Sequence, residues 1–202
     1  MKESLGCCKA FSRRGKRGLM LPYIFVVLVL GLRFVTRPIA VTSVSAALLY
    51  FGARGSRKHA WIPWALCVVA DVVLTRIVYS YPLTWDQLFT WAWYAGALGL
   101  GMTLRNSNSW LRIGGTSLAS SLMFFVVSNF AVWASYHTLY AATSQGLVNC
   151  YVAAIPFFRH TLAADLVFTA IFFAIPVLLH SLTGDRSADD LVVAPEWARK
   201  RR

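Results

Sequence analysis

Six apolar segments alternate with short polar or basic stretches along the chain. They cover approximately residues 19–32, 39–53, 60–79, 85–104, 111–134 and 161–182. A helix needs about 20 predominantly apolar residues to cross the hydrocarbon core of a bilayer. The last four segments reach that length and the first two are shorter. The pattern therefore predicts six membrane-spanning helices.

A polar stretch with a short apolar centre separates the fifth and sixth segments. The centre, residues 147–158, is too short to cross a bilayer as a helix. A helix of that length suits a re-entrant or interfacial position. The predicted fold class is an all-α integral membrane protein: a six-transmembrane-helix bundle with a short re-entrant or interfacial helix between spans 5 and 6.

Composition agrees with this fold. Hydrophobic residues make up 57% of the chain and charged residues 14%, whereas a soluble domain has about 25% charged residues. The formal net charge of +12 would otherwise suggest a nucleic acid partner. Lysine and arginine are instead concentrated at the chain ends and between apolar segments. We therefore expect a lipid bilayer as partner and no nucleic acid.

The positions of lysine and arginine also predict an orientation. With the N-terminus inside, 16 of the 20 basic residues fall on the cytoplasmic side, and the outer side keeps Arg33, Arg37, Arg76 and Arg159. Such an excess of positive charge marks the cytoplasmic face. The prediction is a multi-pass protein of the cell inner (plasma) membrane with both termini cytoplasmic. Its parts are a basic leader (1–18), a membrane domain (19–182) and a polar, basic tail (183–202).

Polar side chains cluster in the half of the bundle that this topology places outside. Asp71 and Asp165, the latter one turn into the sixth segment, are the carboxylates expected within the membrane, and the outer arginines are available as partners. An ionisable group at membrane depth is costly and normally faces the bundle interior. Ion pairs that only fix helix packing explain any single residue as well. The cluster as a whole indicates a ligand pocket formed by Arg37, Asp71, Arg76, Asn129, Trp133, Tyr136, Tyr151, Arg159 and Asp165.

Other candidate chemistry is weaker. Ser117, Ser120, Ser121 and the pair Gly114–Gly115 are typical of close helix packing. The four histidines lack the spacing of metal ligands, and the four cysteines form no zinc or disulfide pattern. Whether Cys7 and Cys8 in the leader are acylated stays open. The sequence predicts no catalytic residue, no metal, no cofactor and no enzymatic activity.

Several stretches resemble a bacterial family of uncharacterised six-helix membrane proteins. They are RFVTRP at 33–38, SAALLYFGA at 45–53 followed by Asp71, SLMFFVVSNFAVW at 121–133 and CYVAAIPFFRHTLAAD at 150–165. That family is similar in turn to the S components of energy-coupling factor vitamin transporters, in particular the solitary cobalamin-type members. The resemblance implies an outward-facing pocket for a vitamin-like molecule, with an energy-coupling ATPase module as partner or none. It places Asp71, Asn129, Trp133, Tyr151, Arg159 and Asp165 on the family's patterned positions.

The expected function is binding of a small vitamin-like organic molecule from the outer side for its uptake. Arg37, Arg76 and Arg159 would contact acidic ligand groups, and the two carboxylates would orient the ligand. The aromatic candidates would supply stacking surface. One alternative is a non-catalytic membrane assembly or structural subunit whose ion pairs serve packing. A less favoured alternative is a membrane-embedded enzyme in which His137 or His160 acts with Asp165.

Overall fold

The computed structural model describes residues 20–34, 43–105 and 109–182, and these ranges are helical throughout apart from short connections. The six helices are α1 (Met20–Phe34), α2 (Val44–Arg54), α3 (Trp61–Val73), α4 (Gln87–Thr103), α5 (Trp110–Ser135) and α6 (Ser144–Leu182). A 3-10 turn, Arg57–His59, precedes α3, and a π-helical segment, Leu74–Val78, continues it. The prediction of an all-α fold with six helices is confirmed. The predicted leader and tail lie outside the described residues.

Three helical stretches are long and apolar enough to cross a membrane. The first is Arg57–Val78, which contains α3. The second is α5, and the third is Ser144–Leu179 of α6. The other three helices are shorter. With a rise of 1.5 Å per residue, α2 is about 16 Å long and α1 about 22 Å. Each is shorter than the hydrocarbon core of about 30 Å. The bundle thus combines three potential spans with three shorter helices.

The predicted separate helix at 147–158 is wrong, because these residues form the N-terminal part of α6. This helix runs unbroken for 39 residues with Pro156 and Pro176 inside it, a length of about 58 Å. Arg159 and His160 interrupt the apolar pattern, but both are exposed on one side of the continuous helix. A break in hydropathy was therefore not a break in the helix.

The helix α2 lies at the centre of the bundle. Ten of its eleven residues are buried, as expected for a helix that is apolar on all sides. The helices α3, α4, α5 and α6 all contact it. The helix α1 packs on it through the ring pairs Tyr23–Phe51 and Phe25–Tyr50, and Phe25 also stacks on Phe172 of α6 at a centroid distance of 4.4 Å.

The helices α2 and α4 touch through their backbones. A Cβ atom added to Gly52 would lie 2.8 Å from the Cα of Gly101, and one added to Gly101 would lie 3.0 Å from the Cα of Gly52. After α4, Arg105 donates from Nε to the carbonyl of Gly52 and from Nη2 to that of Gly55, at 2.8 and 2.6 Å. The C-terminal ends of α2 and α4 therefore meet. We call this end of the bundle, with its arginine-rich turns, the basic end.

Large apolar side chains remain exposed along the outer faces of the long helices. On α5, Leu118, Leu122 and Val126 follow one another at intervals of four residues, and on α6 Val148, Val152 and Ile155 form a similar stripe. Soluble monomers seldom expose continuous apolar surface of this extent. Such stripes are typical of helix faces in contact with lipid.

Candidate functional site

The first buried carboxylate, Asp71, lies in a cluster that joins three helices. Its Oδ1 forms an ion pair with Arg33 Nη1 at 2.6 Å, and its Oδ2 accepts a hydrogen bond from the Tyr94 hydroxyl at 2.8 Å. Arg33 also donates to the Tyr94 hydroxyl at 3.0 Å. Asp71 is 6% exposed, because it belongs to the inner stripe of α3 with Cys67 and Ala70. Arg33 lies in the last turn of α1, where a cation is favoured by the helix dipole.

The second buried carboxylate, Asp165, lies in a cluster of hydroxyl groups. Ser43 donates to its Oδ1 and Ser121 to its Oδ2, each at 2.5 Å. Asp165 is 4% exposed and both serines are fully enclosed. Ser43 is also the N-cap of α2 and accepts from the Ala46 amide. Asp165 therefore sits at the N-terminus of α2, where the partial positive charge of the helix favours a carboxylate.

Further serines of α5 extend this cluster. The Ser117 hydroxyl lies 3.1 Å from the hydroxyl of Thr169 on α6, and Ser121 also approaches the Ser117 carbonyl at 3.1 Å. These serines are buried at a helix interface, as close packing requires. The predicted close packing at Gly114 and Gly115 is wrong, because a Cβ atom added to either meets nothing within 4 Å.

Both carboxylates lie well inside the bundle. Asp71 follows the start of α3 by ten residues, about 15 Å, and Asp165 precedes Leu182 by 17 residues, about 26 Å. The expectation that Asp165 lies one turn into its helix is wrong, because α6 begins at Ser144. The helix extends 21 residues before Asp165 and places this side chain near its middle.

The charged candidates do not gather around these carboxylates. Arg76 is exposed in the π-helical segment after α3, and Arg159 is exposed on α6. Among the described residues, Asp71 pairs with Arg33 instead and Asp165 forms no ion pair. Arg37 lies outside the described residues. Tyr136 follows the end of α5 and is partly exposed.

The remaining candidates bond to backbone carbonyls. Asn129 donates to Phe125, Trp133 donates to Ala141, and the Tyr151 hydroxyl donates to Val126, at 2.7, 2.9 and 2.7 Å. The Trp133 and Tyr151 bonds tie α5 to the following loop and to α6. These two side chains therefore position the α5–α6 pair.

A cavity of about 260 Å³ lies between α5 and α6. It is lined by Phe124, Phe125, Ser128, Asn129, Ala154, Phe157, Phe158 and Thr161. The lining has four aromatic rings, three polar groups and no charge. Asn129 alone among the eight described candidates lines it.

The cavity and the Asp165 cluster are adjacent along both helices. Thr161 precedes Asp165 by four residues on α6, and Phe125 follows Ser121 by four residues on α5. Residues four apart lie on one face of a helix, one turn from each other. The hydroxyl–carboxylate cluster therefore continues the polar side of the cavity toward the basic end.

Comparison with known proteins places the chain in a family. One protein family, described as a family of unknown function (DUF6580), matches residues 14–186. The chain belongs to this family. The match confirms the predicted membership in an uncharacterised family and extends over all described residues. No curated protein and no solved structure matches the DUF6580 chain.

Sequence reasoning missed several residues that the structure brings together. Arg33 was expected only as one of four possible partners, Tyr94 carries no sequence signal, and Ser43 is recognisable only as a helix cap. Ser121 was interpreted as a packing residue. In the DUF6580 chain, local spacing along the sequence could not reveal these contacts, since they connect residues between 23 and 122 positions apart.

The described part of the DUF6580 chain shows where possible metal ligands and the candidate catalytic histidines lie. It contains no group of three or more His, Cys, Asp or Glu side chains that could hold a metal ion. His137 and His160 are exposed, whereas Asp165 is enclosed. His160 and Asp165 lie on different faces of α6, so the pairing considered for a membrane-embedded enzyme is not formed.

Proposed function

We propose that this protein is a multi-pass membrane protein that binds a small, vitamin-like organic molecule and helps it across the membrane. The observation that carries the proposal is the cavity between α5 and α6. Ligand sites are concave and mostly apolar, with a few placed polar groups that orient the ligand. Four phenylalanine rings supply the walls here, and Ser128, Asn129 and Thr161 supply the polar groups.

The two buried clusters support a pocket of fixed shape. The Asp165 cluster joins α2, α5 and α6 next to the cavity, and the Asp71 cluster joins α1, α3 and α4. Buried polar networks with satisfied partners hold helices in one arrangement. In this proposal Asp165 orients the ligand through Thr161 and the cavity wall. Asp71 holds α1, α3 and α4 together.

The sequence supports the proposed orientation and partners. The excess of lysine and arginine at the basic end supports cytoplasmic termini and a cavity in the outer half of the inner membrane. The resemblance to S components of energy-coupling factor transporters supports an ATPase module as partner, or none as in the solitary types. The outer arginines, Arg37, Arg76 and Arg159, would attract acidic ligands toward the entrance.

A thermal-shift screen tests ligand binding. The purified full-length protein in detergent is heated with vitamins and their precursors, including cobalamins and other corrinoids. A ligand that binds only the folded state raises the free energy of unfolding by about 2.7 kcal/mol when its concentration is a hundred times its Kd. We expect at least one compound to raise Tm.

Two neighbouring alanines provide a matched pair for this screen. Ala154 lines the cavity, whereas Ala153 is exposed outside it. Ala154→Leu should abolish the ligand-dependent rise in Tm, and Ala153→Leu should preserve it. The same rise in both variants, or no rise with any compound in the wild type, would contradict binding in this cavity.

An assembly or structural subunit is the second candidate. The observation that favours it is that Asp71, Asp165, Trp133 and Tyr151 all bond within the chain. Gentle extraction from its native membrane followed by size analysis would then show the protein in a stable complex with other subunits. A free, ligand-responsive protein under the same conditions would exclude this candidate.

A further inference from the structure

A second cavity opens between α4 and α5 at the basic end and has a volume of about 370 Å³. Its polar lining consists of Arg112, Thr103 and Thr116, and its apolar lining includes Leu100, Leu104 and Ala119. The α5–α6 cavity has no charge in its lining, so the two cavities suit different ligands.

Arg112 is the charged group of this cavity. It is exposed, and within the described part of the chain it forms no ion pair or hydrogen bond through its side chain. The nearby Arg105 is engaged by the carbonyls of Gly52 and Gly55. Thr116 lies four residues after Arg112, on the same face of α5. A guanidinium and a hydroxyl therefore face the same space.

The deepest residues of the lining are apolar. Arg112 lies near the start of α5, and Ala119 lies seven residues farther along, about 10 Å deeper. On α4, which runs in the opposite direction, Leu100 is correspondingly deeper than Leu104. The exposed rings of Trp61 and Trp110 lie at the helix starts of this end, as at a membrane–water interface.

We propose that this cavity binds an anionic phospholipid of the surrounding leaflet. The lipid phosphate contacts Arg112 and the Thr116 hydroxyl, and an acyl chain follows Leu100 and Ala119 into the membrane. The Thr103 hydroxyl already donates to the Leu100 carbonyl at 2.7 Å. A guanidinium binds phosphate oxygens with two parallel hydrogen bonds. Basic pockets between membrane helices on the cytoplasmic side bind such head groups. The proposal rests on the membrane location and orientation proposed above, and not on uptake.

Lipid retention by the intact protein tests the charge requirement. The full chain is purified, exchanged into detergent with phosphatidylglycerol or phosphatidylcholine, and its bound lipid is measured by native mass spectrometry. We expect selective retention of phosphatidylglycerol. Arg112→Gln should weaken it about tenfold or more, since a charge-assisted hydrogen bond is lost, and Arg112→Lys should restore part of it. Arg57→Gln, an exposed arginine outside the cavity, should have no effect.

A pair of glycines tests the cavity itself. A Cβ atom has open space at both Gly114 and Gly115, but Gly115 alone of the two lines the cavity. Gly115→Leu should reduce phosphatidylglycerol retention, and Gly114→Leu should preserve it. Equal retention in the wild type and Arg112→Gln would overturn the proposal, as would equal retention in the two glycine variants. Inorganic phosphate that competes as well as the lipid would also overturn it, because the acyl chain would then contribute nothing.

The test of lipid binding can fail or succeed independently of the test of the proposed uptake function. A vitamin-dependent rise in Tm that persists in Arg112→Gln leaves ligand binding intact whether or not the lipid binds. Fractionation of this variant with the membranes shows that insertion is unaffected.

Discussion

Asp71 and Asp165 are buried by different means, and the difference decides how each responds to substitution. Asp71 forms an ion pair with an arginine and accepts a hydrogen bond from a tyrosine hydroxyl, and the two partners come from two other helices. Asp165 is held by two serine hydroxyls and the N-terminus of α2. An ion pair that loses one partner leaves an uncompensated charge, whereas a hydroxyl cluster loses one hydrogen bond at a time.

The Arg33–Asp71 pair predicts a compensating double variant. Arg33→Met should lower the free energy of unfolding by about 3 kcal/mol, because Asp71 then stays buried without its cation. Arg33→Met combined with Asp71→Leu should regain most of that loss, since an apolar pair replaces the ion pair. Denaturant unfolding of the detergent-solubilised protein measures both. Equal stability of the wild type and Arg33→Met would show that the pair does not contribute.

Two adjacent serines of α5 predict opposite results. Ser121→Ala removes a donor to Asp165 and should cost about 1–3 kcal/mol of unfolding free energy. Ser120 is equally enclosed, but its hydroxyl has no hydrogen-bond partner in the described structure. Ser120→Ala should therefore leave stability unchanged or raise it. The same unfolding experiment distinguishes them, and equal losses would refute the role assigned to Ser121.

At the scale of helices, close approach and helix continuity are the two properties that shape the bundle. The α2–α4 crossing depends on a pair of glycines whose backbones touch. The helix α6 passes through two prolines and a polar pair without ending. Prolines are tolerated in membrane helices where neighbouring groups satisfy the freed carbonyls.

The α2–α4 crossing predicts a position-specific effect of valine on α4. Gly101→Val would place a branched side chain against the backbone of Leu49 and Gly52, which cannot move aside. We expect it to cost about 1–3 kcal/mol or more, as overpacking does. Gly99→Val, in the same helix, has open space around its Cβ atom and serves as the control for helix propensity. A comparable fall in Tm for both variants would contradict a backbone contact at Gly101.

At the scale of the whole molecule, the bundle has two dissimilar ends. The basic end contains the α2–α3 turn and the α4–α5 turn, whereas the opposite end contains the α3–α4 and α5–α6 connections. The α5–α6 cavity and the cavity between α4 and α5 lie toward different ends of α5. In the proposed membrane orientation, one cavity would therefore lie in each leaflet.

Single cysteines test this orientation in intact cells. Lys58 lies exposed in the turn before α3, and Leu139 lies exposed between α5 and α6. An impermeant thiol reagent should label Leu139→Cys from outside and Lys58→Cys only after permeabilisation. The native Cys67 and Cys150 are buried. Cys7 and Cys8 of the leader are replaced by serine, and the protein without an added cysteine gives the background. Reversed labelling would invert the proposed topology, and with it the leaflet of each cavity.

Local pattern was sufficient for the positions of the helices and insufficient for the start of α6. The first predicted segment, 19–32, matches α1, and the fifth, 111–134, matches α5 within a residue or two. Hydropathy reports the environment of each residue, which is a local quantity. The start of α6 at Ser144 was missed because helix continuity across Arg159 depends on which side of the helix that arginine faces.

The sequence by itself determined the composition of the bundle: six apolar helices, basic turns at one end and two carboxylates that needed interior partners. These properties follow from residue type and spacing along the chain. Tertiary structure decided the partners. It joined Asp71 to Arg33 and Tyr94, joined Asp165 to Ser43 and Ser121, and left Arg76 and Arg159 outside. The physical reason is that a buried charge is satisfied by whichever group the helix packing brings within hydrogen-bonding distance, and that packing depends on the whole chain at once.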